Sequence, residues 1–179
     1  MNTKPPREFL PAGIAVITIS DTRTAADDKS GDTLVGRITE AGHKLCERMI
    51  VKDDVRQIRS AVRKLVKRGD IDVIITTGGT GLTGHDVTIE AVRPLFDKEI
   101  EGFGVVFHMI SFQKIKTSTI QSRATAGVVS GTYVFCLPGS PGACRDGWDE
   151  ILVHQLDYRH HPCNFIEIMP RLEEHLRRG

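Results

Sequence analysis

The sequence predicts an α/β fold, a three-layer sandwich in which helices cover both faces of a mainly parallel central sheet. Two observations support this fold class. Short apolar runs, such as residues 13–20 and 73–77, have the length and composition of strands buried on both faces. Between these runs, apolar residues recur at helical spacing. No repeat or low-complexity tract divides the chain, so we expect a flexible polar tail over residues 1–12 and one domain over 13–179.

Each expected element has its own pattern of apolar residues and end signals. The strands cover residues 13–20, 45–51 and 73–77, and one antiparallel hairpin covers 126–137. The helices cover residues 30–41, 54–69, 88–96, 104–114, 141–158 and 170–177. Gly42 ends the first helix, Asp54 is a suitable N-cap, and Pro141 suits a first helical turn. Ser130-Gly131 supplies the turn of the hairpin.

The composition is that of an ordinary soluble globular chain, with 40% hydrophobic and 26% charged residues among 179. The net charge of +1 favours neither nucleic acid nor a membrane surface as a partner. The N-terminus has no apolar signal segment, and no apolar stretch approaches the roughly 18 residues of a membrane span. The four cysteines include no Cys-x-x-Cys pair. We therefore expect a cytoplasmic protein with reduced thiols.

The most informative segment is the loop Thr76-Thr-Gly-Gly-Thr-Gly81, which follows the third strand and is followed by Asp86. Glycines at the end of a strand expose backbone N–H groups, which bind anions and above all phosphates. An aspartate repels a neighbouring phosphate unless a divalent cation lies between them. This combination predicts metal-assisted phosphate chemistry. The structural alternative is that the glycines only make a turn and Asp86 only caps the next helix.

Two known nucleotide motifs do not fit this loop. Residues 79–84 match the spacing G-x-G-x-x-G, but a dinucleotide site needs a following strand that ends in an acidic residue about 20 positions on. The residues after the loop are instead helical or irregular in pattern. The phosphate loop of Walker type requires Lys-Ser/Thr where this chain has His85-Asp86.

Further polar residues follow the first two strands. Ser20 and Asp21 come after the first strand, and Asp53 and Asp54 come after the second. Because ligands bind at the carboxyl edge of an open parallel sheet, these residues and the glycine loop are expected to share one cleft. Asp53 and Asp54 both stand at the start of a helix. As for Asp86, the structural alternative is that they only cap that helix.

As a set, these motifs resemble the signature of the molybdopterin adenylyltransferase family, the MogA- and MoaB-type proteins of molybdenum cofactor biosynthesis. The resemblance runs from Ala15-Val-Ile-Thr-Ile-Ser-Asp21 through Ser30-Gly31 and Glu101-Gly-Phe-Gly104 to Leu137-Pro-Gly-Ser140. Segments such as Gln121-Ser-Arg123 are most similar to the short bacterial MoaB branch.

This resemblance implies a MogA-like fold and an enzyme that transfers AMP from ATP to the terminal phosphate of molybdopterin, releasing pyrophosphate. It implies that Asp86 and Asp53 are catalytic and hold Mg²⁺, with Asp54 and Mn²⁺ as open alternatives. It matches Gly78, Gly79, Thr80 and Gly81 to the loop that holds nucleotide phosphates or pterin. It matches Ser118, Ser122, Arg123, Pro138, Gly139 and Ser140 to segments that line the pterin side. The strand-end positions add Ser20 and Asp21 to the substrate site.

The resemblance also implies an assembly and a rival function. The family forms homotrimers or homohexamers, and apolar residues over 103–112 are consistent with such an interface. Contact with other molybdenum cofactor biosynthesis proteins is a further expected partnership. The rival is a non-catalytic paralogue that binds molybdopterin or nucleotide for storage or protein contact. The retained Asp86-Val-Thr88 favours the enzyme.

Overall fold

Six strands form one mixed sheet in the computed structural model, which describes residues 6–177. The strands are β1 (Gly13–Ile19), β2 (Lys44–Val51), β3 (Val73–Thr77), β4 (Lys98–Glu99), β5 (Thr125–Val129) and β6 (Thr132–Leu137). Their order across the sheet is β2-β1-β3-β6-β5-β4. The first four in this order are parallel, whereas β5 is antiparallel to both β6 and β4. The predicted α/β class, with a mainly parallel sheet and one hairpin, is confirmed.

Helices cover both faces of the sheet. They are α1 (Lys29–Glu40), α2 (Val55–Leu65), α3 (Thr88–Val92), α4 (Glu101–Ile115), α5 (Pro141–Gly147), α6 (Val153–Gln155) and α7 (Phe165–Ile168). Successive residues of β1 point to opposite faces, so Val16 packs with Leu34 and Phe107 while Ile17 packs with Ile58. The first core contains α1, α4 and α5, and the second contains α2 and α3. These two cores make the three predicted layers.

The strand register places the loops that form the candidate site side by side. Ile19 pairs with Val51, and Thr77 pairs with both Thr18 and Leu137. The carboxyl ends of β2, β1, β3 and β6 therefore lie along one edge of the sheet. This is the edge at which ligands bind in open parallel sheets.

Three parts of the fold differ from the prediction. The edge strand β4 has only two residues, too few to show a pattern in the sequence. The helix expected over 141–158 is interrupted by a π-helical turn at Trp148–Leu152 and ends at Gln155. In place of the one helix expected over 170–177, the chain has two short 3₁₀ helices, Met169–Arg171 and Glu174–Arg177. An earlier helix, α7, is capped by Asn164, and Pro170, which lacks an N–H donor, stands in a 3₁₀ turn that follows it.

The expected tail is also different where the structure describes it. Residues 1–5 lie outside the described residues. Arg7 forms an ion pair with Glu167 and donates to the Tyr158 carbonyl, and the N–H of Ala12 donates to His43. Residues 6–12 are thus packed against the domain. Within residues 6–177, every helix is too short or too polar to cross a membrane.

Candidate active site

An open cleft of about 540 Å³ lies where β1, β2, β3 and β6 end. Of the predicted site residues, it is lined by Ser20, Asp53, Gly78, Gly79, Thr80, Gly81, Asp86, Ser122, Pro138, Gly139 and Ser140. Its size is within the usual range for small-molecule sites. The parallel register thus brings together loops that are far apart in the sequence, as the strand-end argument predicts.

Three predicted site residues do not line this cleft. Asp21 lies beside it, where its Oδ1 accepts a hydrogen bond from the Asp53 N–H at 3.2 Å and its Oδ2 is 3.8 Å from His85 Nδ1. Arg123 lies behind the glycine loop and contacts its backbone. Ser118 is exposed on a separate 3₁₀ helix, Lys116–Gln121, outside the cleft.

The glycine loop requires glycine at positions 78 and 79. Gly78 and Gly79 have φ values of +103° and +64°, which L-residues rarely adopt. A Cβ on Gly78 would lie 2.3 Å from the Ile19 carbonyl oxygen. A Cβ on Gly79 would lie 2.8 Å from Asp53 Oδ1 and 2.4 Å from Thr88 Oγ1. The backbone of the loop therefore approaches the Asp53 carboxylate with no room for a side chain.

Asp86 does not cap the following helix. Helix α3 begins at Thr88, after Val87, and has no side-chain cap. The Asp86 carboxylate instead accepts hydrogen bonds from the N–H and hydroxyl of Thr83, at 2.9 and 2.6 Å. Partial burial opposes ionisation, but these bonds and one from the Gly81 N–H hold the pKa of Asp86 below its usual value. The helix-cap alternative for Asp86 is therefore wrong. Its ionised carboxylate lines the cleft.

Asp53 and Asp54 have different positions despite being neighbours. The Asp54 carboxylate caps α2 by accepting from the Gln57 N–H at 2.8 Å. Asp53 lines the cleft. Burial, followed by the negative charges of Asp21 and Asp86, raises the pKa of Asp53. Three carboxylates therefore converge on one side of the cleft, and among residues 6–177 no Lys or Arg side chain forms an ion pair with Asp53 or Asp86.

This arrangement fits Mg²⁺ held jointly with a substrate. No group of three or more His, Cys, Asp or Glu side chains in the described part of the chain is arranged to hold a metal alone. Mg²⁺ at phosphate-transfer sites is usually bound by one or two carboxylates together with water and substrate phosphates. Asp53 and Asp86 supply two such carboxylates, and their mutual repulsion would be relieved by a cation.

Comparison with known proteins identifies the family. Residues 15–158 match the family described as "Probable molybdopterin binding domain". The molybdenum cofactor biosynthesis protein B of Escherichia coli (strain K12) is 49% identical over 158 residues, covering 88% of this chain and 93% of that protein. The chain belongs to the MoaB family.

Solved structures agree with this membership in the MoaB family. A crystal structure of a molybdenum cofactor biosynthesis protein B aligns with a TM-score of 0.83 at 41% identity, covering 96% of this chain and 99% of that one. The tungsten cofactor synthesizing protein MoaB from Pyrococcus furiosus aligns with a TM-score of 0.71 at 33% identity, covering 93% and 98%. The family predicted from the sequence is confirmed.

Arg123 braces the glycine loop of this MoaB-family chain from behind. Its guanidinium donates to the carbonyls of Thr80 and Asp86, each at 3.2 Å. It also forms an ion pair with Glu90 on α3. One side chain therefore ties both ends of the loop that carries Asp86 to the helix that follows it.

Sequence reasoning did not single out Arg23, which also lines the cleft. Its guanidinium donates to the Gly139 carbonyl at 2.8 Å and to Ser30 Oγ at 3.0 Å. The signal that could have found it is position: Arg23 follows β1 at the same carboxyl edge as Ser20 and Asp21. The exposed His85 of the glycine loop lines the cleft as well and was likewise not predicted.

Proposed function

We propose that this chain transfers AMP from ATP to the terminal phosphate of molybdopterin, with release of pyrophosphate. The observation that supports this most is the convergence of Asp53 and Asp86 beside a glycine loop at the carboxyl edge of the sheet, where neither has an ion-pair partner among residues 6–177 apart from the charges of the cleft itself. Such a site suits a polyphosphate that arrives with a divalent cation. Membership in the molybdopterin-binding family supports molybdopterin as the acceptor.

The glycine loop supplies hydrogen-bond donors for the phosphates. Within the described residues, the N–H groups of Gly79 and Thr80 donate to no other group, and both residues line the cleft. Backbone donors of this kind are fixed in place before the substrate binds, so they stabilise developing charge without reorganising. Phosphoryl-type transfer depends mainly on such positioning and charge neutralisation.

The transfer requires no covalent intermediate on the protein. An oxygen of the acceptor phosphate attacks the α-phosphorus of ATP, the new P–O bond forms, and the bond to pyrophosphate breaks. The cysteines in the core do not offer an alternative nucleophile, because burial raises the pKa of Cys136 to about 12 and that of Cys144 to about 11. Both thiols are therefore protonated at neutral pH.

Asp53 and Asp86 contribute to binding the charged substrate from two different strands. Mg²⁺ held by Asp53 and Asp86 would neutralise charge on the phosphates of ATP. Asp86 is kept ionised and in place by Thr83. Asp53 lies against Gly79, at the point where the loop backbone meets the cleft. Both side chains therefore face the same part of the ligand from different strands.

The test is an assay of pyrophosphate with purified protein, molybdopterin, ATP and Mg²⁺. We expect release that requires all three additions and that falls at least about hundredfold in Asp86→Asn. Asp54→Asn is the matched control, because Asn retains the helix cap and Asp54 does not line the cleft. Molybdopterin binding without any pyrophosphate would instead support the non-catalytic paralogue.

A further inference from the structure

A carboxylate and a guanidinium lie toward opposite ends of the cleft. Asp53 follows β2 at one end and Gly139 follows β6 at the other, with β1 and β3 between them. Gly79 faces Asp53, whereas Gly78 faces Gly139, since a Cβ on Gly139 would lie 3.0 Å from the Gly78 Cα. Asp53 thus lies at the β2 end, Asp86 follows β3, and the Arg23 side chain reaches Gly139 at the β6 end.

Arg23 is held in a fixed orientation at this end. It donates to the Gly139 carbonyl at 2.8 Å and to Ser30 Oγ at 3.0 Å, and Ser30 Oγ itself donates to the same carbonyl at 2.8 Å. A guanidinium has five N–H donors, of which these contacts use two. The side chain is 31% exposed and lines the cleft, so the remaining donors are accessible to a ligand.

The nearest carboxylate, that of Asp28, forms an ion pair with Arg23 but accepts no hydrogen bond from it within the described residues. Asp28 Oδ1 is 3.8 Å from Arg23 Nη1, beyond hydrogen-bond distance. The fully buried Asp28 already accepts from Thr18 Oγ1, the Gly31 N–H and Arg48. Among the cleft-lining residues that the structure describes, Arg23 alone carries a permanent positive charge.

We propose that Arg23 binds the phosphate monoester of molybdopterin, while ATP with its metal binds at Asp53 and Asp86. The acceptor then lies beside Gly139, on the side that the resemblance already assigns to the pterin. This inference rests on the proposed function. ATP can bring a divalent cation to the carboxylates, but the acceptor phosphate needs a positive partner of its own. Arginine suits this role because its planar guanidinium makes paired, charge-assisted hydrogen bonds to phosphate oxygens.

The test compares two ligands, molybdopterin and its dephosphorylated form, by anaerobic calorimetry in EDTA without ATP. We expect Arg23→Gln to weaken molybdopterin binding by about 10- to 100-fold while leaving the dephosphorylated ligand within about twofold. Gln is chosen because its amide can still donate to the Gly139 carbonyl. The matched control is Arg63→Gln, an exposed arginine on α2 outside the cleft lining, which should change neither affinity.

Equal weakening of both ligands would overturn the proposal, since Arg23 would then act only by holding the Gly139 loop. Unchanged binding of both ligands would overturn it as well. If Arg23→Gln does not fold, Arg23→Lys retains the charge and should keep a preference for the phosphorylated ligand. Loss of that preference in a folded Arg23→Lys protein would contradict the assignment.

The outcome is separable from that of the proposed function. Binding is measured without ATP and metal, so a chain that fails to release pyrophosphate can still show the Arg23-dependent phosphate preference. Conversely, pyrophosphate release with an unchanged preference in Arg23→Gln would refute this inference and leave adenylyl transfer intact.

Discussion

Asp53 and Asp86 line the same cleft in different electrostatic states. Hydrogen bonds from Thr83 and Gly81 outweigh partial burial and lower the pKa of Asp86. Burial and the charges of Asp21 and Asp86 raise the pKa of Asp53. Ionisation of Asp53 therefore costs more free energy than ionisation of an exposed aspartate, and a bound cation would offset that cost.

The raised pKa of Asp53 leads to a stability prediction. The folded state holds the Asp53 proton more tightly than the unfolded state, whose pKa is near the ordinary 3.8. Stability contributed by the protonated form is therefore lost as pH rises through the folded pKa. Asp53→Asn should accordingly melt at a higher temperature than the unsubstituted protein at pH 7 in EDTA, and the difference should shrink toward pH 4.

Thermal melts with and without Mg²⁺ check this prediction. Mg²⁺ should raise the melting temperature of the unsubstituted protein much more than that of Asp53→Asn, because binding to the folded state stabilises it. A lower melting temperature for Asp53→Asn at pH 7 would show that the carboxylate has a structural role.

At the residue scale, the sequence predicts a site residue only where its position at the end of a strand determines its place in the cleft. Asp86 and Asp53 follow strands, so their place at the sheet edge is predictable. The sequence does not decide between Asp53 and Asp54. The two residues are neighbours, yet Asp53 lines the cleft and Asp54 caps the helix. The contact of Arg123 with Thr80 joins residues 43 positions apart, and no local pattern reports it.

At the element scale, the glycine loop depends on a brace from another part of the chain. Arg123→Gln should leave the carbonyls of Thr80 and Asp86 with poorer donors and Glu90 without its ion pair. We expect a loss of about 1–2 kcal/mol in the free energy of unfolding. We also expect a higher KM for ATP and faster amide hydrogen exchange over residues 80–86, because the loop would be less ordered.

Arg93→Gln serves as the control for this substitution. Arg93 is more exposed than Arg123 and pairs with Glu99 away from the glycine loop, so its loss should cost less than about 0.5 kcal/mol. Unchanged hydrogen exchange over residues 80–86 in Arg123→Gln would refute the bracing role and favour the original assignment of Arg123 to the substrate.

The elements that the sequence predicts well are those with strong local chemistry. Strands β1 and β3 are continuous apolar runs, and both Ser130 and Gly131 adopt the positive φ values that the hairpin turn requires. The C-terminal segment is different. Its helix begins at Phe165 after the N-cap Asn164, and the Phe165 carbonyl accepts a hydrogen bond from the distant Tyr133 hydroxyl. Apolar spacing alone does not contain that information.

At the scale of the whole molecule, α4 presents apolar side chains to solvent in the single chain. Val105 is 59% exposed, Met109 63% and Phe112 50%. Ile115 at the end of α4 and Ile120 on the following 3₁₀ helix are exposed as well. Apolar patches of this kind usually mark an interface, and they support the predicted closed homo-oligomer, a trimer or a hexamer.

Light scattering tests the assembly. We expect a mass three or six times the 19.8 kDa of one chain at micromolar concentration. Met109→Glu should shift the protein toward monomer, because it places a charge in the apolar surface. Leu176→Glu, at another exposed apolar residue, should not. A single species near 19.8 kDa in the unsubstituted protein would contradict an oligomer.

The central claim is that Asp53 and Asp86, from different strands, form one metal-dependent nucleotide site. Calorimetric titration with ATP, in Mg²⁺ and in EDTA, tests it most directly in the unsubstituted protein, Asp53→Ala, Asp86→Ala and the double variant. We predict much tighter binding with Mg²⁺, a preference that either single substitution mostly removes and that the double variant hardly reduces further. ATP binding that is independent of metal, or additive effects of the two substitutions, would contradict a shared site.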